Sequence, residues 1–371
     1  MGKPVIISGP LATAKSKEEL LKLEYKPDHF EGARDISTPY GSTRVYEWGP
    51  EAGNKVLFIH GVTTSCMTLG IIAKALVERG FRVMLFDLYG RGYSDGVKGV
   101  KHDARLYVDQ TLAVLKSSPL GNWDQGFRLI GYSMGGSIAV HFAAEHPEML
   151  SSPLTLLCPA GLIRASYMFD LKSRIAFQTG LIPARYIHSK LKDRLRKPMH
   201  ESVKNKADMD AAAAATAAAA DTAMTELGDE PPAPEEPREA QELYERQRKH
   251  IEWMIDNHGG FIPAVADCFK HAPFTKQQPA WTKMAAKLKE KNKTLVIILG
   301  AKDDLINLGH FKADAVPILD KAGVNYRLRV INDANHNFPM THSQKVLALI
   351  YQAWGIQPLL PPPPPSSAQK K

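Results

Sequence analysis

Between Leu129 and Gly136 the sequence reads Leu-Ile-Gly-Tyr-Ser-Met-Gly-Gly, and no other stretch constrains the fold as tightly. An apolar run, Phe127 to Ile130, leads into it, and a helical pattern from Ser137 to Ala144 leaves it. A strand that turns into a helix within three residues forces the residue at the corner, Ser133, into a strained backbone and pushes its hydroxyl outward. Gly131 and Gly135 lack a Cβ, so the two backbones can pass close to each other. The same corner aims the first N–H groups of the helix at whatever Ser133 faces.

The pattern Gly-x-Ser-x-Gly also occurs at Gly92 to Gly96, so the pattern alone does not choose the serine. The second copy follows Tyr89-Gly90-Arg91 and runs into Val97-Lys98-Gly99, which is neither a strand before nor a helix after. Ser94 is therefore expected to be a loop residue and Ser133 the candidate nucleophile.

The flanking chain alternates strand and helix. Thr43–Trp48 alternates as a half-buried strand does, whereas the apolar runs at 55–59, 82–86, 154–158 and 293–299 read as strands buried on both faces. Between them lie helical spacings at Leu69, Ile72 and Leu76, closed by Gly80, and at Val108, Leu112 and Leu115, capped by Asp103. A last strand is expected over Tyr326–Ile331 and a last helix through Val346, Leu349, Ile350 and Trp354. Residues before about 40 leave room for an edge strand. The economical architecture is a mostly parallel sheet flanked by helices, with chemistry at the carboxyl ends of its strands.

The alternation stops from 163 to 288. Ser166 to Leu195 and Arg238 to Asn257 read as helices, while 200–238 holds an alanine run and an acidic proline run that cannot form a core. The expected organisation is a first core part over 1–162, a helical cap over 163–288 with a low-complexity insert at about 200–238, a second core part over 289–358, and a disordered proline-rich tail over 359–371. Met168, Phe169, Ile175, Phe177 and Trp253 are either a substrate-facing surface or simply the core of this cap.

A chain of 371 residues with 44% hydrophobic content is long enough for one large α/β domain plus an insertion. No apolar run is long enough to span a bilayer and no signal-peptide pattern opens the chain, so a cytoplasmic location is expected. Cys66, Cys158 and Cys268 form neither a disulfide framework nor a metal spacing, and Cys158 reads as a buried small hydrophobe. The net charge of +8 is scattered over helices, which argues against nucleic acid. The cluster Arg185, Lys190, Lys192, Arg194, Arg196 and Lys197 is expected to be a solvated helix face, with peripheral membrane or anion contact as the alternative. No metal and no cofactor is expected.

A serine hydroxyl needs a base within hydrogen-bond reach, and that base needs a carboxylate to hold its tautomer. After Ser133 the chain supplies an aspartate beyond the 293–299 strand, either Asp303 or Asp304, and then His336. His60 is expected to order its loop by hydrogen bonds, and His141 sits too far along its helix to serve as the base.

Five stretches, His60-Gly61, Asp87 to Ser94, Gly131 to Gly136, Gly300 to Asp303 and His336 to Pro339, resemble in order the landmarks of the α/β-hydrolase family in its cap-bearing branch. The resemblance implies that Asp303 rather than Asp304 is the acid, and that the backbone N–H groups of Val62 and Met134, rather than Thr63, form the oxyanion hole. It also implies that Asp87 and Asp95 anchor loops. Asn335 departs from the usual Gly and Asn307 from a common Pro. Ser-Met-Gly-Gly is similar to monoacylglycerol lipases and related esterases. The implied activity is cleavage of a small apolar carboxylic ester through an acyl-enzyme. Another serine-triad reaction, on an amide, thioester or carbon–carbon bond, is the alternative, followed by a non-catalytic binding protein on the same fold.

Overall fold

The computed structural model describes residues 3–14, 16–164, 182–196 and 236–357. Most of the low-complexity insert, the tail beyond 357, and Met168, Phe169, Ile175 and Phe177 lie outside the described residues.

The strands are β1 (Val5–Ile7), β2 (Arg34–Thr38), β3 (Gly41–Trp48), β4 (Lys55–Ile59), β5 (Arg82–Phe86), β6 (Gly96–Lys98), β7 (Arg128–Tyr132), β8 (Leu154–Leu157), β9 (Leu295–Gly300) and β10 (Tyr326–Ile331). Eight of them form one sheet in the order β10-β9-β8-β7-β4-β5-β3-β2. The six strands from β10 to β5 run parallel, and β3 and β2 are added antiparallel at one edge. The apolar runs at 55–59, 82–86, 154–157 and 295–300 are buried strands, as their lack of alternation requires. β2 is the edge strand for which the polar N-terminal region left room. β1 and β6 pair separately.

β3 departs from the expectation of a half-buried strand, for its polar face is buried too. Arg44 donates to both carboxylate oxygens of Asp35, at 2.8 and 2.7 Å, and to the Pro27 carbonyl. Glu47 accepts from Ser118 Oγ at 2.8 Å and Trp123 Nε1 at 3.1 Å, and pairs with Arg34 and Arg82. Charges can be taken out of water on that face because each meets an opposite charge or a donor.

Helix Gly70–Val77 ends before Gly80 at φ +80°, and Asp103 caps helix Ala104–Lys116 through the Leu106 N–H. The expected cap boundary at 288 falls inside helix Gln278–Glu290. That helix packs on the sheet side, against Met134–Glu145 and Leu308–Ala322, and is part of the core. Between β8 and that helix the described residues form helices Ala184–Leu195, Arg238–Asn257 and Phe261–His271, the first and last of which pack together. In the basic cluster, Lys192 and Arg196 pair with Asp256 on the neighbouring helix, and Lys190 lies over the Tyr186 ring. The Arg194 side chain and Lys197 lie outside the described residues.

The chain winds from β4 outward to β5, then returns to place β7 on the other side of β4. That reversal opens a crevice at the carboxyl ends of β4 and β7, where ligands bind in open α/β sheets.

Candidate active site

Ser133 stands at the carboxyl end of β7 with φ +54° and ψ −118°, as first expected from its sequence setting. The corner holds because nothing but glycine fits around it. A Cβ on Gly131 would lie 2.4 Å from the Gly135 carbonyl oxygen, and one on Gly135 would lie 2.2 Å from that of Ile59. The Ser133 N–H donates to the Leu157 carbonyl at 3.0 Å, and its carbonyl accepts from the Gly136 and Ala160 N–H groups at 3.0 Å. β8 and the loop after it therefore lock the strained residue in place.

Asp303 follows β9 and His336 follows β10, two and three strands away from β7. Their loops bring both side chains back. His336 Nε2 is 2.9 Å from Ser133 Oγ, and His336 Nδ1 is 2.7 Å from Asp303 Oδ2. The carboxylate can only accept, so Nδ1 carries the proton and Nε2 faces the serine hydroxyl with a lone pair. Asp303 Oδ1 accepts from the Leu305 and Ile306 N–H groups at 2.9 and 2.7 Å, which fixes its plane. All three side chains are buried. Asp304 points to solvent. Gly300 permits the approach, for a Cβ there would meet the Ala334 carbonyl oxygen at 2.3 Å. Asn307 caps helix Leu308–Ala322 by accepting from the His310 N–H at 3.0 Å.

The remaining candidates have structural roles. Ser94 is buried, donating to the Asp87 carbonyl at 2.6 Å and accepting from the Arg44 N–H at 3.0 Å. Asp87 accepts from the Cys66 and Tyr93 N–H groups at 3.0 Å each, and burial pushes its carboxyl up to about 6. Asp95 accepts from the Gly9 and Ser42 N–H groups. His60 Nε2 accepts from the Leu88 N–H at 2.9 Å, so its Nδ1–H donates to the Gly61 carbonyl. Burial, with the Arg91 guanidinium nearby, holds that ring neutral by lowering its pKa to about 3. His141 is engaged by Gln277 at 2.9 Å. Trp253 stacks on His250 and tilts against Tyr93. It joins the Arg238–Asn257 helix to the core.

Two neighbours of the site have no signal in the sequence that would have singled them out. Arg91 is fully buried, and its hydrogen bonds run to uncharged partners. Its Nε donates to the Val62 carbonyl at 2.8 Å, and its other nitrogens donate to the Tyr89 carbonyl, the Tyr107 hydroxyl and Cys268 Sγ. It thereby ties the loop after β4 to the Phe261–His271 helix. Cys158 follows β8 at φ +34° and donates from Sγ to the His336 carbonyl at 3.4 Å. Its thiol, Asp303 and His336 offer ligand-type atoms within 4.8 Å of one another, the one such group among the described residues.

A family model described as serine aminopeptidase, S33, matches residues 50–229, just under half of the chain. A serine hydrolase-like protein of Danio rerio is 32% identical over 122 residues, covering 33% of this chain and 36% of that protein. Monoacylglycerol lipase abhd6-B of Xenopus laevis is 51% identical over 141 residues, covering 36% of this chain and 40% of that protein. The matches thus span well under half the length of these curated relatives. A thermophilic esterase from Thermogutta terrifontis superposes with a TM-score of 0.57 at 17% identity, covering 87% of this chain and 98% of that one. The chain has the α/β-hydrolase fold. In this fold the mostly parallel sheet carries Ser133 after β7, Asp303 after β9 and His336 after β10. No helix among the described residues is long and apolar enough to cross a membrane.

Proposed function

We propose that this α/β-hydrolase cleaves a carboxylic ester through an acyl-enzyme formed on Ser133. The observation that carries the reading is the hydrogen-bonded line from Asp303 through His336 to Ser133 Oγ, at 2.7 and 2.9 Å. His336 Nε2 takes the Ser133 proton as Oγ bonds to the ester carbonyl carbon. It then returns that proton to the departing alcohol. Asp303 stabilises the imidazolium in between. A water, deprotonated by the same nitrogen, releases the acid and restores Ser133.

The oxyanion that forms on the carbonyl oxygen is held by backbone N–H groups of Met134 and Val62. Met134 is the first residue of its helix, so its N–H has no partner within the helix. Val62 belongs to the loop that Arg91 fixes through the Val62 carbonyl. One such donor is worth about 3–4 kcal/mol in the transition state. Esterase and lipase names among the relatives support ester chemistry, and an apolar small-molecule ester is the proposed substrate.

The description of the matching family model favours a second reading, hydrolysis of an N-terminal peptide bond by the same three side chains. A panel of p-nitrophenyl esters of increasing acyl length, run beside aminoacyl p-nitroanilides, separates the two. Turnover of esters with none of the anilides supports the ester reading. Turnover of the anilides alone replaces it with the peptidase.

A further inference from the structure

We propose that Cys158, Asp303 and His336 form an inhibitory site for a thiophilic divalent cation of the Zn²⁺ or Cd²⁺ class. The inference rests on the reading of Ser133, Asp303 and His336 as the reacting set. A thiol, an imidazole nitrogen and a carboxylate oxygen stand within 4.8 Å of one another on the carboxyl ends of three adjacent strands, β8, β9 and β10. One sulfur, one nitrogen and one oxygen ligand, with a fourth position left to water, is a coordination set that Zn²⁺ accepts. Bonds of about 2.3 Å to sulfur and about 2.0 Å to nitrogen and oxygen place tetrahedral ligands about 3.3–3.6 Å apart. The sulfur therefore closes in by about 1.3 Å at most, while His336 Nδ1 and Asp303 Oδ2, now 2.7 Å apart, open by about 0.6 Å if both ligate, shifts within the reach of side-chain rotation.

The geometry also explains why binding is incompatible with turnover. The imidazole has two nitrogens and both are in use. If the ion bonds to Nδ1, the proton there moves to Nε2, which then faces Ser133 Oγ as a donor and cannot accept its proton. If the ion bonds to Nε2, it occupies that lone pair directly. In either case the Cys158 S–H bond breaks, its proton leaves to solvent, and the electron pair bonds to the metal; no oxidant or reductant is needed. Nothing in the sequence spacing marks this set, because Cys158 and Asp303 lie far apart in the chain and meet only through the pairing of β8 with β9.

The test measures binding and inhibition separately. CdCl₂ is titrated into the Ser133→Ala chain, which cannot turn over, and the thiolate-to-metal absorbance in the ultraviolet is followed. The expected result is a saturable signal at one equivalent that Cys158→Ser abolishes and a Cys66→Ser, Cys268→Ser double variant retains. In the unsubstituted chain, ZnCl₂ should block fluorophosphonate labelling reversibly with EDTA, and Cys158→Ser should need at least about tenfold more metal. Loss of even an outer-shell partner weakens metal binding about 10–100-fold. A Cd²⁺ signal that persists in Cys158→Ser, or no signal at all, overturns the site. Should Cys158→Ser fail to fold, cadmium NMR of the unsubstituted chain decides: a mixed sulfur–nitrogen–oxygen shift supports the site and an all-oxygen shift overturns it. Absence of labelling before any metal is added would instead count against the hydrolase reading, leaving the absorbance result to stand alone.

Discussion

Replacing Asp303 by Asn changes one atom and should disable the site through a tautomer. The orientation of the new amide is set by the backbone. Asp303 Oδ1 receives two N–H groups, from Leu305 and Ile306, so the amide carbonyl must take that position. The NH₂ then faces His336 Nδ1, where Oδ2 now lies at 2.7 Å. Two donors cannot meet, so Nδ1 gives up its proton and accepts, and the proton moves to Nε2 against Ser133. Flipping the amide would set its NH₂ against two backbone donors and lose both bonds, at about 1–3 kcal/mol for each buried group left unsatisfied. Wrong-tautomer substitutions of this kind lower kcat about 10⁴-fold, or about 5.5 kcal/mol of barrier. KM should change little. Asp304→Asn, on a solvent-facing side chain, should leave kcat within about twofold, in line with other surface substitutions. Steady-state hydrolysis of an activated ester, with circular dichroism as a fold control, measures both. An Asp303→Asn variant retaining a tenth of wild-type kcat, or an equal loss in Asp304→Asn, would refute the reasoning.

Gly135→Ala should cost about 3 kcal/mol or prevent folding, because its Cβ would lie 2.2 Å from the Ile59 carbonyl oxygen; a thermal melt within two degrees of wild type would contradict this. Arg91→Met should lower kcat more than it changes KM, since the Val62 carbonyl loses its donor; an unchanged kcat in a folded variant would show that the loop holds itself. Acid should weaken the fold. His29, His60, His102, His250 and His258 are held neutral by burial, with pKa values lowered to about 3 or about 4. Their unfolded forms take up protons near pH 6.5, so stability is full above that value and falls with pH down to the folded values. At pH 5 each contributes a loss of up to about 2 kcal/mol, against a gain of about 1 kcal/mol from Asp87, whose raised carboxyl works in the opposite sense. Urea unfolding that gives equal or greater stability at pH 5 than at pH 7 would be the contrary result. Finally, deleting 205–234 while sparing Glu236, which accepts from Ser343 Oγ at 3.0 Å, should leave the melt near wild type and alter KM or acyl-chain preference; unfolding would count against a substrate-controlling role.

Much of this arrangement was legible in the chain because its causes are local. The elbow announces itself through glycines whose absent Cβ atoms are each required by a contact under 3 Å, and the buried strands through unbroken apolar runs. Asp303 and Asp304 could not be separated by residue type, for both follow the same strand. Only the turn that directs one inward and the other to water distinguishes them. The polar face of β3 read as solvated because an alternating pattern does not reveal that Glu47 and Arg44 find partners from Arg34, Asp35, Ser118 and Trp123. Residues 278–288 fell inside the expected cap because the strand pattern resumes only at 293, and the sequence does not reveal that helix Gln278–Glu290 packs on Met134–Glu145 and Leu308–Ala322. The links made by Arg91 and Cys158 are long-range, set by strand order, and leave no trace in spacing.

The central claim is that Ser133 is the attacking oxygen, and covalent labelling reads it most directly. The full chain is treated with a fluorophosphonate, digested, and the adduct located by mass spectrometry in parallel with Ser133→Ala and Ser94→Ala. The expected outcome is one adduct, on Ser133, absent from the first variant and undiminished in the second. An adduct on any other residue, or none on chain shown to be folded, would contradict it.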